Sequence, residues 1–337
     1  MRATIKDIAQ RAHVSKSTIS RVLNNSGPVS ESTRRVVMDA VAELDYKPNE
    51  IARSLSRGRT GTIGLLIHDI RNPNYADAGW YADRIFGRHE YSSIMANGDK
   101  DPGREGMYVN DMLYREVEGI LCIGYQKNDA KDVVELAAVR EVPVVLVDCH
   151  DAPQGIDAVT LDDVYGGQLA VDYLLALGHG RIGFLTSDSS VAEQKRKEGY
   201  LSALRSRGID ADPSLLIVQD EDLWQRGDNP ELLELLRRPD RPTALVASND
   251  TKAIRTLRLL HRFGANVPGE ISLVGFDDID SASIVIPALT TVHQPIDKMI
   301  DLGAQILLRR IKGHHGEPSH TTLRPWLVER ESARKLL

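Results

Sequence analysis

Six short apolar runs, bounded by turn residues and separated by helical patterns, constrain this chain more than any other feature. They span residues 62–67, 119–123, 142–147, 181–185, 243–247 and 271–276. Each is short and largely apolar, which is the pattern of a strand covered on both faces. Stretches with apolar residues at helical spacing lie between them, for example 167–177 and 251–263. Strands alternating with helices predict parallel sheets flanked by helices.

The runs also contain an echo. Ile63-Gly64-Leu65-Leu66 and Ile182-Gly183-Phe184-Leu185 each open a strand, loop and helix unit. Two similar lobes follow, one starting near residue 61 and one near 162. Ligands in open α/β sheets sit beyond the carboxyl ends of the strands, and pockets favour domain interfaces. The cleft between the lobes is therefore the expected binding site.

The first sixty residues have a different character. Thr4-Ile5-Lys6-Asp7 reads as a capping box, with Ile5, Ile8, Ala9 and Ala12 on one helical face. Ser15 caps a second helix whose Ile19, Val22 and Leu23 form a buried stripe. Lys16, Ser17, Ser20, Arg21 and Asn24 fall on its opposite face. Ser30 caps a third, with Val36, Val37, Ala40, Val41 and Leu44 as its apolar stripe. Residues 1–60 hold 11 Lys and Arg against 6 Asp and Glu, while the remainder holds 31 against 42. A basic head on an acidic body fits a polyanion-binding module joined to a second function. Three short helices, the first two tightly joined, match a helix-turn-helix, and an exposed Lys/Ser/Arg face can bond base edges in a major groove. From pattern alone, a helical hairpin with a solvated polar face reads equally well.

Longer motifs separate these readings. Thr4-Ile5-Lys6-Asp7-Ile8-Ala9, then Val14-Ser15-Lys16-Ser17-Thr18-Ile19-Ser20-Arg21-Val22-Leu23-Asn24, and later Leu44-Asp45-Tyr46-Lys47-Pro48-Asn49, closely resemble the DNA-binding headpiece of the lactose-repressor (LacI/GalR) family. The resemblance implies Lys16, Ser17 and Arg21 as the main base readers. Thr4, Ser15, Asn24 and Tyr46 would be positioned on phosphates, with Thr18 beside them. Ala52-Arg53-Ser54-Leu55 resembles the family's hinge helix, which makes Leu55 a minor-groove wedge.

The body resembles the family's periplasmic-binding-protein-like regulatory domain. Its markers include Asn72-Pro73-Asn74-Tyr75, Leu177-Gly178-His179-Gly180-Arg181-Ile182-Gly183, Ser248-Asn249-Asp250, Val274-Gly275-Phe276-Asp277-Asp278 and Pro287-Ala288-Leu289-Thr290-Thr291-Val292. The expected architecture is an all-α helix-turn-helix headpiece (1–47), a hinge or linker (48–60), and a two-lobed α/β regulatory domain. Residues 61–161 with 290–322 are assigned to its first lobe, and 162–289 with 323–337 to its second. Asp148, Asn249 and Asp277 follow strand ends, where carboxylates and amides can bond hydroxyl-rich ligands, and Tyr75 offers a ring face. At such positions these side chains also serve as helix N-caps. The resemblance favours Asp277, Arg196 and Asn249 as effector contacts, followed by Asp148 and Tyr75. It implies a homodimer or tetramer on a palindromic double-stranded operator and a small-molecule effector. A sugar or sugar derivative is the first expectation for that effector, a nucleoside or purine the second.

Several other functions find no support. Gly178-His179-Gly180-Arg181-Ile182-Gly183 matches a dinucleotide fingerprint in letters only, because a helix precedes it and a strand follows. No nucleophile elbow, Walker A sequence or zinc motif is present, and His68, His150 and His293 are isolated, so no enzyme activity, cofactor or metal is expected. His314, His315 and His320 fall in a polar loop, and Lys195 and Lys197 read as solvated neighbours of Arg196 rather than as an anion site. A ligand-binding protein without DNA binding would explain the lobes but not the headpiece. Two cysteines, no long apolar run and no leader pattern suit a cytoplasmic protein free of membrane. Asp220–Gln225 departs from the family's usual Gly-aromatic stretch, leaving the direction of Trp224 open.

Overall fold

The computed structural model describes residues 3–23, 27–46, 59–99, 101–125, 127–227 and 229–336. It divides into two units, Met1–Thr60 and Gly61–Leu337.

The first unit contains helices α1 (Ile5–Ala12), α2 (Lys16–Leu23) and α3 (Glu31–Glu43). The capping box forms as read: Thr4 N and Oγ1 donate to Asp7 Oδ2 at 2.8 and 2.7 Å, and Asp7 N donates to Thr4 Oγ1. His13 ends α1 in the left-handed region, so the chain turns at once into α2. Ile8, Ala12, Ile19, Val22, Val37 and Ala40 make the core. Val36, expected in the α3 stripe, is exposed instead. Val37 and Ala40 carry the contact, because Val36 lies about 100° round the helix from Val37 and so falls off the stripe that faces α1 and α2. Asn24, Leu55 and most of the 48–60 hinge lie outside the described residues.

The second unit holds two six-stranded sheets. The first contains β1 (Thr62–Ile67), β2 (Ser92–Asn97), β3 (Gly119–Ile123), β4 (Val144–Val147), β5 (Asp157–Leu161) and β11 (His320–Leu323), in the order β11-β5-β4-β3-β1-β2. All its pairings are parallel. The second contains β6 (Ile182–Thr186), β7 (Leu216–Val218), β8 (Ala244–Ala247), β9 (Ser272–Asp277), β10 (Thr290–His293) and β12 (Trp326–Val328), in the order β12-β10-β9-β8-β6-β7. Among the described residues its only antiparallel pair joins β10 to the edge strand β12. Apart from the outer strands β11 and β12, the two orders are the same winding repeated, as the sequence echo implied.

Helices cover both sheets: α4 (Pro73–Arg88), α5 (Pro102–Tyr114), α6 (Lys127–Ala138) and α13 (Ile296–Ile311) the first, α7 (Asp163–Ala176), α8 (Val191–Ser206), α9 (Glu221–Arg226), α10 (Pro230–Arg237), α11 (Asp250–Phe263) and α12 (Asp280–Ile284) the second. The chain passes between the sheets three times: from β5 to α7, from β10 to α13, and from β11 to β12. The sequence reading assigned 290–293 to the first lobe and Leu323 to the second. Thr290–His293 instead pairs with β9 in the second sheet, and Leu323 pairs with Leu161 in the first. The return crossing therefore follows His293, because only backbone pairing decides which sheet accepts a strand lying next to a crossover.

All six apolar runs became strands. The strands not read in advance include the four at the sheet edges, β2, β7, β11 and β12. An edge strand is covered less completely, and so lacks the continuous apolar stretch that marks β1, β3, β4 and β8.

Helices α7 and α8 pack unusually tightly. A Cβ on Gly167 would lie 2.2 Å from the Arg196 carbonyl oxygen, and one on Gly199 would lie 2.1 Å from that of Val164. Glycines at both positions let the backbones touch, which brings Asp163 on α7 beside Arg196 on α8.

Candidate functional site

On the headpiece, Lys16, Ser17 and Arg21 lie exposed on α2. Ser15 caps that helix, accepting from Thr18 N at 3.1 Å, and its hydroxyl is bonded with those of Ser17 and Thr18. Thr4 is exposed at the start of α1, and Tyr46 packs half-buried against the headpiece core. The arrangement places a cation-bearing helical face and a hydroxyl-rich helix N-terminus on one side of a small stable core, which suits base and phosphate contacts respectively.

In the second unit a cavity of about 250 Å³ opens where the carboxyl ends of the two sheets meet. In each sheet the strand order reverses between the first strand and the third, and cavity residues emerge from these switch points. His68, Arg71 and Tyr75 follow β1, and Tyr125 follows β3. Asp148 and His150 follow β4, Glu193 follows β6, Asn249 and Lys252 follow β8, and Asp277 ends β9. All five residues expected to contact an effector, Tyr75, Asp148, Arg196, Asn249 and Asp277, line this one cavity.

Arg196 is its centre. Nε donates to Asp163 Oδ1 at 2.6 Å, and one terminal nitrogen donates to the Ser248 carbonyl at 2.7 Å and to Asp277 Oδ1 at 3.1 Å. The guanidinium also lies 3.6 Å from the Phe276 ring centroid. On the facing wall the Tyr75 hydroxyl donates to Asp148 Oδ2 at 3.0 Å. Asp148 and Asp277 have φ of 57° and 111°, left-handed values uncommon for non-glycine residues and concentrated at binding sites. Burial raises Asp277 to about 7 against the pull of Arg196. Burial and the nearby Asp163 carboxylate raise Asp148 as well. Burial also works against Asp163, but Arg196 and His150 hold it below the usual carboxylate range.

A second network closes the other side. Glu193 Oε1 accepts from Lys252 Nζ at 2.6 Å and from Ser248 Oγ at 2.8 Å, while Oε2 accepts from Ser187 Oγ at 2.7 Å. Burial would raise this carboxyl, yet Lys252 and the hydroxyls bring it down to about 2. Asn249 caps α11, its side-chain oxygen accepting from Lys252 N at 2.8 Å. The capping role and the cavity position thus coexist in one residue.

Sequence reasoning missed Asp163, His150, His68, Glu193, Glu221 and Lys252. Asp163 follows another aspartate and reads as a helix-start acid, and the histidines stand alone in sequence. The doubtful stretch before Arg226 is resolved: Trp224 is buried in the second-lobe core, its Nε1 3.3 Å from the Thr186 carbonyl, and Glu221 is the residue that reaches the cavity. Lys197 pairs with Asp188, and neither Lys195 nor Lys197 lines this cavity. His179 within the false dinucleotide fingerprint joins Thr243 and the Arg334 carbonyl between α7 and β6, a structural role.

A helix-turn-helix unit on the same chain as a two-lobed domain with a polar interlobe cavity defines a DNA-binding protein that answers to a small ligand. Residues 4–49 match the bacterial regulatory proteins of the lacI family, and residues 171–333 match the periplasmic binding protein-like domain. The chain is 32% identical over 335 residues to the HTH-type transcriptional repressor PurR of Aliivibrio salmonicida, covering 99% of this chain and 100% of the relative. It is 32% identical over 332 residues to the ribose operon repressor of Escherichia coli, covering 98% and 100%. The crystal structure of the Lac repressor dimer bound to operator and the anti-inducer ONPF superposes with a TM-score of 0.87 at 26% identity, covering 99% and 100%. The chain belongs to the LacI family of bacterial regulatory proteins. Among the described residues, no helix is long and apolar enough to cross a membrane.

Proposed function

We propose that this protein is a cytoplasmic repressor that binds a palindromic operator as a homodimer and is controlled by a neutral, polyhydroxylated effector, a sugar or sugar derivative. The observation that carries the effector class is the state of Arg196. Its guanidinium is already engaged by Asp163, Asp277 and a carbonyl, so it offers no free charge to a carboxylate or phosphate. Carboxylates and an amide around a tyrosine ring suit hydroxyl groups on a compact ring. A purine or nucleoside is the second reading, and the transcriptional repressor PurR is among the relatives.

Lys16, Ser17 and Arg21 read bases in this scheme, while Thr4, Ser15, Thr18, Asn24 and Tyr46 hold phosphates. Leu55 wedges the minor groove at the operator centre. Effector binding changes lobe closure and thereby operator affinity. By linkage, operator DNA changes effector affinity by the same factor.

The test is selection of operator duplexes from a random library, followed by a panel of sugars and purines scored for altered operator binding. Arg196→Ala and Asp277→Ala are expected to keep operator binding and lose the response. A wild-type response in either variant refutes the pocket assignment. A response confined to purines refutes the sugar reading.

A further inference from the structure

We propose that Asp148, His150 and Asp163 form a divalent-metal site that bridges the two lobes at the cavity floor. One ligand-type atom from each residue lies within 4.8 Å of the other two, and the residues are 5%, 8% and 1% exposed. Asp148 Oδ1, His150 Nε2 and Asp163 Oδ2 are all buried without a hydrogen-bond partner. His150 Nε2 stands 2.8 Å from Asp163 Oδ2, an ion-pair contact when the imidazole is protonated. Buried polar atoms are nearly always satisfied. Asp148 Oδ1 is left with no partner and the other two atoms have each other, so a cation is the partner that would accept from all three at once.

The surroundings fit. Each carboxylate is oriented through the oxygen it does not offer: Asp148 Oδ2 accepts from Tyr75, and Asp163 Oδ1 accepts from Arg196. Such outer hydrogen bonds are how proteins fix metal ligands in place. The charge balance points the same way, because three carboxylates, Asp148, Asp163 and Asp277, all act on the one guanidinium of Arg196. Two carboxylates and an imidazole form a mixed oxygen and nitrogen set suited to Mn(II) or Zn(II). Three protein ligands leave further coordination positions for water or for hydroxyls of a molecule in the cavity. Asp148 and His150 follow β4 of the first sheet, whereas Asp163 opens α7 on the second. An ion here ties the lobes together and acts on the closure that a small effector also controls. The spacing, two residues and then thirteen, belongs to no metal motif, so the site exists only in the folded chain. It stands independently of the effector's identity.

The experiment uses tag-free, full-length protein dialysed against EDTA. Mn(II) is titrated in, with unbound ion counted by electron paramagnetic resonance, and Zn(II) binding is measured by calorimetry. One site per chain is expected. Asp163→Asn and His150→Gln should each weaken it by at least about tenfold, with thermal melting used to verify that each variant is folded. Either variant, if folded, suffices. The proposal is overturned if wild-type protein binds neither ion stoichiometrically. It is equally overturned if binding persists unchanged in a folded variant, which would place the ion elsewhere, for instance on the loop bearing His314 and His315.

Discussion

The Glu193–Lys252 pair offers a test of the cavity's electrostatics that needs no ligand. Lys252→Met removes the ammonium 2.6 Å from a carboxylate that is 4% exposed. In the native protein that carboxyl falls from 4.5 to about 2, despite burial, chiefly through Lys252. A shift of that size corresponds to roughly 3 kcal/mol of stability at neutral pH. Its sign follows from the depressed value: the contribution is complete above the unfolded pKa near 4.5 and fades as pH falls toward 2. With the lysine gone, burial is opposed by the Ser187, Ser248 and Thr186 hydroxyls and the Ser189 N–H, so the carboxyl should titrate higher than in the wild type. The variant should therefore lose about 3 kcal/mol at pH 7. The gap to wild type should narrow as pH falls through the variant's raised pKa, because protonation relieves only the variant's unpaired charge. Urea unfolding followed by tryptophan fluorescence, run on both proteins between pH 7 and about pH 3.5, measures the gap directly. A constant gap across that range, or one below about 1 kcal/mol at pH 7, refutes the assignment. Adding Glu193→Gln to Lys252→Met should recover part of the loss, since the more deeply buried charge is then gone and only the part-exposed Glu221, 3.1 Å from the lysine in the native protein, lacks its partner.

Three further outcomes follow from the same geometry. Gly199→Ala should cost about 1–3 kcal/mol or more, because its Cβ meets the Val164 carbonyl at 2.1 Å and pushes α7 from α8; calorimetric melting reads the loss. Trp224→Ala should destabilise the second lobe by about 3–5 kcal/mol in denaturant titrations, whereas a ligand-contacting role would instead change effector affinity at little cost in stability. Arg21→Ala should weaken binding to the selected operator by about 1–3 kcal/mol and relax the preference at one base pair, with less effect on random duplex; equal losses on both would make Arg21 a phosphate contact.

Local chemistry and periodicity were enough to establish much of this protein. The apolar runs announced their strands because a strand buried on both faces has little choice of residue. The Thr4 capping box and the Ser15 and Ser30 caps set the headpiece helices, because those bonds span only three residues. Tyr75, Asp148, Arg196, Asn249 and Asp277 were legible through motifs and strand ends, and the fold gathered them at one cavity. Other features depended on partners distant in the chain. Asp163 and Arg196 become neighbours because paired glycines let α7 and α8 touch, and His150 meets Asp163 because β4 ends opposite the start of α7. Trp224 turns into the core because Thr186, 38 residues earlier, places a carbonyl over its indole nitrogen. Thr290–His293 joins the second sheet because β9 offers it a parallel edge before the chain crosses. Caps and strand patterns act over a few residues and are written in order along the chain. The charge pairs of the cavity act across space, so tertiary structure alone decided which carboxylate meets which cation.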